Sequence, residues 1–290
     1  MENPRPEWFS KAVATPVTSR QVRVDGHPVH YLDWGSPDDH RPGLILVHGN
    51  AANARWWSHI APLFADFRVV APDLSGCGDT PARTAYSRDI YADELAAVMD
   101  HARLGEDPFM VAHSWGGFMA LRTAARDDIA LGGLVLADSG VRPPDDGFAK
   151  KMASIPPKPK KYYAEREELR RRFKIRPPQP VANTYIADFL GDHSLRKEGD
   201  GWAWKHDENL VPKTPVEGLD DDLMNCRCRL AMIWGEHSYF RRQQVPRYMA
   251  TLLPADVPRI EIPDAYHHLF IDQPLAAVSA LRAVFAGWQG

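Results

Sequence analysis

The chain has 290 residues, 44% of them apolar, with a formal net charge of −3. That length supplies one large hydrophobic core plus a subordinate insertion, and the charge implies no global attraction to nucleic acid or anionic membranes. No apolar run is long enough to span a bilayer, and Met1–Pro6 carries no basic-then-apolar leader. The three cysteines are odd in number, and Cys226-Arg227-Cys228 lacks zinc-site spacing. Free thiols in a reducing, cytoplasmic setting are the expectation, with no metal.

In chain order, residues 20–34 read as a hairpin. Val22-Arg23-Val24 and Val29-His30-Tyr31-Leu32 flank a turn at Asp25-Gly26. Short apolar runs near 44–48, 68–71, 109–113, 133–137, 229–234 and 258–262 read as buried parallel strands, with helical stretches between most of them. That alternation predicts an α/β, doubly wound sheet with its site at the strand C-termini. Gly76-Cys77-Gly78 lacks the third glycine of a dinucleotide loop and follows the wrong strand, so no cofactor is expected.

From about Val141 to Val216 the alternation breaks. Pro156-Pro157-Lys158-Pro159 and Pro177-Pro178-Gln179-Pro180 bracket a charged helix expected over Tyr162–Arg172. The basic run from Lys150 to Arg176 is interrupted at helical spacing by Glu165, Glu167 and Glu168, which reads as a solvated face rather than a nucleic-acid site. Residues 1–140 and 217–290 are expected to form one core, and 141–216 an insertion. Tyr185, Phe189, Trp202 and Trp204 within it suit either a pocket lining or a local core.

Three segments carry chemistry. Val111-Ala112-His113-Ser114-Trp115-Gly116-Gly117 joins a strand to a helix with a serine at the apex. A turn that tight needs small residues two before and two after the serine, here Ala112 and Gly116. It exposes the hydroxyl at the positive end of the helix, where an oxyanion is stabilised. The alternative is a serine capping an ordinary helix. One βαβ unit earlier, a buried strand runs into His48-Gly49-Asn50. In serine hydrolases of this layout, the backbone N–H after that strand and the N–H following the nucleophile form the oxyanion hole, here Asn50 and Trp115. Near the C-terminus a strand ends before His267-His268. Either imidazole suits the base that a serine hydroxyl requires.

Together with Pro72-Asp73-Leu74-Ser75-Gly76-Cys77-Gly78-Asp79, these segments resemble the α/β-hydrolase-fold superfamily, in its capped serine esterase/lactonase-like group, from about Gln21 onward. The resemblance implies a mostly parallel eight-stranded sheet with a helical cap, residues 141–216, inserted after strand six. In the family, an acid follows the base by five residues and a proline by seven. His267 meets both offsets with Asp272 and Pro274 and is therefore chosen over His268.

The usual triad acid follows strand seven in a glycine-x-x-aspartate turn. Here that turn reads Gly235-Glu236-His237-Ser238. Some members place the acid after strand six, which in this chain ends in Asp138. Asp138 is the expected acid and Glu236 the alternative. Asn50, Trp115 and an acid after strand six also resemble haloalkane dehalogenases, whose nucleophile is a carboxylate; Ser114 argues against that chemistry and against epoxide opening by the related route. The resulting expectation is a hydrolase of a small carboxylic ester or lactone, with catalytic Ser114, His267 and Asp138, no cofactor, and no nucleic-acid or membrane partner. A ligand receptor that kept the pocket is the non-enzymatic alternative.

Overall fold

A computed structural model describes residues 5–36, 38–144 and 146–289. Residues 1–4, part of the segment read above for a leader, lie outside them. Asp25 and Gly26 both take positive φ, 51° and 78°, and close the expected hairpin between β1 (Thr18–Val24) and β2 (His27–Asp33). The sheet continues with β3 (Gly43–Val47), β4 (Arg68–Pro72), β5 (Phe109–His113) and β6 (Gly133–Ala137). A separate pair, β7 (Leu195–Glu198) and β8 (Gly201–Trp204), precedes β9 (Arg229–Gly235) and β10 (Arg259–Ile262). The main sheet has eight strands in the order β1-β2-β4-β3-β5-β6-β9-β10. It is antiparallel at β1-β2 and β2-β4 and parallel thereafter.

The central strands β3, β5 and β6 are buried along their whole length because helices cover both faces. Their side chains alternate between two cores. Ile45, Met110 and Leu134 face helices Arg88–Ala102 and Gly116–Ala125. Leu44, Phe109 and Val135 face the C-terminal helix Pro274–Gln289. Every parallel strand ends toward the same edge, which gathers the residues after β3, β5, β6, β9 and β10.

Between β6 and β9 the chain leaves the sheet for short helices and the β7–β8 ribbon. The charged helix is shorter than expected, Arg166–Arg170 rather than Tyr162–Arg172. Tyr163 and Trp202 exchange backbone hydrogen bonds of 2.9 and 2.7 Å, so the segment before the helix is held extended against β8. Tyr185 and Phe189 join a third apolar cluster with Phe9, Ile186 and Ile271, which ties the insertion to the sheet's C-terminal edge. No helix among the described residues is long and apolar enough to cross a membrane.

Candidate active site

Ser114 sits between β5 and helix Gly116–Ala125 with φ 53°, a left-handed conformation uncommon outside glycine. Its N–H donates to the Ala137 carbonyl at the end of β6, 3.0 Å away, which fixes the turn. The close approach explains Gly116: a Cβ there would stand 2.3 Å from the His48 carbonyl oxygen. Asp138, the residue after β6, is also left-handed, with φ 43°. Two such residues on adjacent strand ends mark a locally strained corner of the sheet.

His267 connects them. Its Nδ1–H donates to Asp138 Oδ1 at 2.9 Å. Nε2 is thereby the acceptor nitrogen and receives the Ser114 hydroxyl, also at 2.9 Å. Asp138 has no exposed surface, and His267 is 5% exposed. The Ser238 hydroxyl donates to Asp138 Oδ1 at 2.6 Å, and the Gly235 N–H donates to Oδ2 at 2.9 Å. The residue found where the usual acid would stand is thus a donor to the Asp138 carboxylate. The absent carboxylate at 238 is visible in the sequence, whereas no local pattern signals this bond. Glu236 is placed elsewhere: its carboxylate accepts the Asp264 N–H at 3.0 Å and braces the turn after β10.

Asn50 is exposed beyond β3, and Trp115 is buried beside Ser114. The Gly49 backbone runs against the serine; a Cβ on Gly49 would lie 3.1 Å from Ser114 Cβ. His48 anchors this loop. Its Nδ1–H donates to the Gly49 carbonyl at 2.7 Å, and its Nε2 accepts the Leu74 N–H at 3.1 Å.

The loop that carries His267 is held from several sides. His113 Nε2–H donates to the His267 carbonyl at 2.9 Å, and His268 Nε2–H donates to the Arg176 carbonyl at 2.8 Å. Burial pushes the His113 imidazole down to about 3 and holds His268 well below its ordinary value. Both rings, centred 5.0 and 4.8 Å from His267, are therefore neutral at pH 7 and put no cation beside it. Asp272 Oδ2 accepts the Tyr266 N–H at 2.8 Å. Gln179 then clasps the loop: its Nε2 donates to both Asp272 oxygens at 2.9 Å, and its Oε1 accepts the His268 N–H at 3.0 Å. Burial pushes the Asp272 carboxyl up to about 6. In the sequence Gln179 stands only within the proline-rich stretch Pro177-Pro178-Gln179-Pro180, with no local signal for this clasp.

Ser114 and His267 open into a cleft of about 510 Å³, shared with Arg142, Phe148, Pro177 and Phe240. Among the described residues two clusters have metal-compatible donors, His30/Asp73/Asp79 and Glu236/His237/Asp264. In the first, Asp73 already accepts from His30 Nδ1 and from the Ala54 and Asp79 amides.

The alpha/beta hydrolase family model matches residues 44–281. This chain belongs to the alpha/beta hydrolase family. Among its relatives, a haloalkane dehalogenase of Mycolicibacterium paratuberculosis is 36% identical over 131 residues, covering 42% of this chain and 40% of the relative. The lipase LipV of Mycobacterium tuberculosis is 32% identical over 99 residues, covering 34% of this chain and 37% of the relative. The chain spans about two fifths of the length of the curated relatives it matches. The crystal structure of an esterase from Mycobacterium tuberculosis superposes with a TM-score of 0.76 at 22% identity, covering 97% of this chain and 95% of that one. That likeness establishes the alpha/beta hydrolase fold.

Proposed function

We propose that this alpha/beta hydrolase is a serine hydrolase that cleaves a small carboxylic ester or lactone through an acyl-enzyme. The observation that carries the reading is the relay from Ser114 Oγ to His267 Nε2 and from Nδ1 to Asp138, each link 2.9 Å. Ser114 Oγ attacks the carbonyl carbon as His267 Nε2 takes its proton. The amides of Asn50 and Trp115 receive the oxyanion, aided by the N-terminus of helix Gly116–Ala125. Collapse breaks the ester C–O bond, and the leaving alkoxide takes the proton from His267. Water, deprotonated by His267, then attacks the acyl carbonyl and releases the acid and Ser114. Asp138 holds the imidazole in the tautomer that accepts from serine and balances the imidazolium. Residues 141–216 act as the cap over this site.

The haloalkane dehalogenase and the lipase among the relatives define the choice of chemistry. A carboxylate nucleophile displaces halide to give an ester that water can cleave at its carbonyl. Ser114 would give an alkyl ether with no carbonyl to attack, whereas its acyl ester is hydrolysable. The test is a serine-directed fluorophosphonate. It is expected to label Ser114 in the wild type, and Ser114→Ala is expected to lose both labelling and turnover of p-nitrophenyl esters while folding normally. Unchanged turnover in Ser114→Ala overturns the reading, and a single slow turnover by the wild type points to a ligand receptor.

A further inference from the structure

Within the basic run of the insertion, two groups of residues have different surroundings. Arg166 and Arg170 pair with Asp188, Asp192 and Glu167, and Lys160 pairs with Glu198. These form the solvated face expected from the acidic residues interleaved in the sequence. Lys161, Arg171, Lys174 and Arg176 have no ion-pair partner among the described residues and line one cleft of about 520 Å³ together with Arg172, which pairs with Glu168. Its single acidic lining residue is Glu208. Its walls include Trp204 and Phe173, ring centroids 6.4 Å apart, with Trp204 stacked on the half-buried His206 ring at 6.2 Å and 27°.

Two of this cleft's lining residues are chain neighbours of residues at the Ser114 site. Asn50 lines it, one residue from the Gly49 backbone that packs on Ser114. Arg176 also lines it, while the next residue, Pro177, lines the cleft that holds Ser114 and His267. A substrate with its carbonyl at Ser114 therefore has on one side a mixed cleft lined by Arg142, Lys151, Phe148 and Phe240, and on the other, past Asn50 and Arg176, the cationic, aromatic-walled one.

We infer that the substrate is an ester or thioester whose leaving half carries phosphate groups, bound by Lys161, Arg171, Lys174 and Arg176, with a planar ring against Trp204. Four unpaired cations exceed what one carboxylate neutralises, and guanidinium groups match phosphate oxygens in geometry and charge. The aromatic walls supply faces on which a heterocycle stacks. The reaction remains the one proposed above: the acyl group passes to Ser114, the C–O or C–S bond breaks, and the phosphate-bearing alcohol or thiol leaves with the proton from His267. The inference rests on that reading for its chemistry but not for its binding site.

The test separates the two. Coenzyme A is titrated calorimetrically into wild type, Ser114→Ala, the double variant Arg171→Glu/Lys174→Glu, and a remote charge reversal, Arg247→Glu. Wild type, Ser114→Ala and Arg247→Glu are expected to bind alike, and the double variant about a hundredfold more weakly, roughly tenfold per lost phosphate contact. In parallel, kcat/KM is compared for the butyryl thioesters of coenzyme A, glutathione and N-acetylcysteamine, which share a reacting group and differ in charge. The coenzyme A to N-acetylcysteamine ratio is expected to exceed ten in wild type and to fall at least tenfold in the double variant. A glutathione thioester preferred over the coenzyme A one overturns phosphate in favour of carboxylate. Absence of coenzyme A binding, equal binding by the double variant, or an oligonucleotide binding where coenzyme A does not, overturns the inference outright. Charge-dependent coenzyme A binding without turnover of any thioester preserves the cleft and defeats only the serine-hydrolase reading.

Discussion

Asp138→Asn is the perturbation for which the structure gives the clearest magnitude. Both carboxylate oxygens are committed, Oδ1 to His267 Nδ1–H and the Ser238 hydroxyl, Oδ2 to the Gly235 N–H. An amide in this fully buried position has one acceptor and one donor end. Turning its NH2 toward Gly235 opposes two donors and leaves a buried N–H unpaired, at about 1–3 kcal/mol. Turning it toward His267 makes Nδ1 an acceptor and places the proton on Nε2, where the imidazole no longer accepts from Ser114. Either way the negative charge that balances the imidazolium is gone. The corresponding change in a well-studied triad lowers kcat about 10⁴-fold, or about 5 kcal/mol at the transition state. Ser238→Ala removes one donor present in ground and transition states alike, so its cost in kcat is expected to stay within about tenfold. The assay is kcat on a p-nitrophenyl ester at pH 7.5 for both variants, with thermal melts to confirm folding. If Asp138→Asn keeps more than about a tenth of the wild-type kcat, or Ser238→Ala loses as much as Asp138→Asn, Asp138 is not the triad acid.

His267→Ala is expected to abolish ester turnover, whereas His268→Ala keeps much of it, since the His268 ring points to the Arg176 carbonyl rather than to Ser114; steady-state kinetics of the two variants decide this. His59 is pushed down to about 4, and His113 to about 3, by burial. Their folded values lie below an unfolded value near 6.5, so the stability they contribute is present above that pH and lost on acidification. Denaturant midpoints are expected to fall from pH 6.5 to 5, and His59→Gln to reduce that slope by up to about 1.4 kcal/mol per pH unit. Gln179→Glu sets a second carboxylate against Asp272, itself pushed up to about 6. One shared proton reconciles the pair at low pH, and ionisation drives it apart, so kcat of this variant is expected to drop relative to wild type as pH rises above about 6. Gln179→Leu should show a loss without that pH dependence; matching pH profiles for the two variants would refute the clasp.

What was legible in the sequence is what is encoded locally. The hairpin turn, the apolar strand runs and the strand–serine–helix corner each occupy a dozen residues or fewer, and each is dictated by side-chain periodicity or by the small residues a tight turn demands. Parallel topology then fixes which chain ends meet at the sheet edge without further information. The unread parts are pairings between distant segments. Ser238 and Asp138 are 100 residues apart, and Gln179 and Asp272 are 93 apart. Nothing in the local pattern of either segment requires the other. The basic run shows the same limit: charge spacing along the helix accounts for Arg166 and Arg170, but which remaining cations face a cleft depends on how the extended segment around Tyr163 is pinned to β8.

The proposed move of the acid from β9 to β6 is consistent with this geometry. Asp138 lies one strand nearer the serine than the usual acid position, yet both of its non-histidine donors come from the end of β9, the Gly235 amide and the Ser238 hydroxyl. The carboxylate thus lies between the strands and is held by the turn that would otherwise carry the acid itself. Aspartate at both 138 and 238 would bring two carboxylates to hydrogen-bonding distance in a site with no exposed surface, where one of them must take up a proton and stop serving the imidazole. Serine at both positions would leave His267 Nδ1–H without an anion. The two positions are therefore coupled alternatives, and a serine in the glycine-x-x turn is the residue to expect wherever the acid has moved to the neighbouring strand: small enough for the turn, able to cap the helix Tyr239–Arg242 through the Phe240 N–H, and able to donate to the displaced carboxylate.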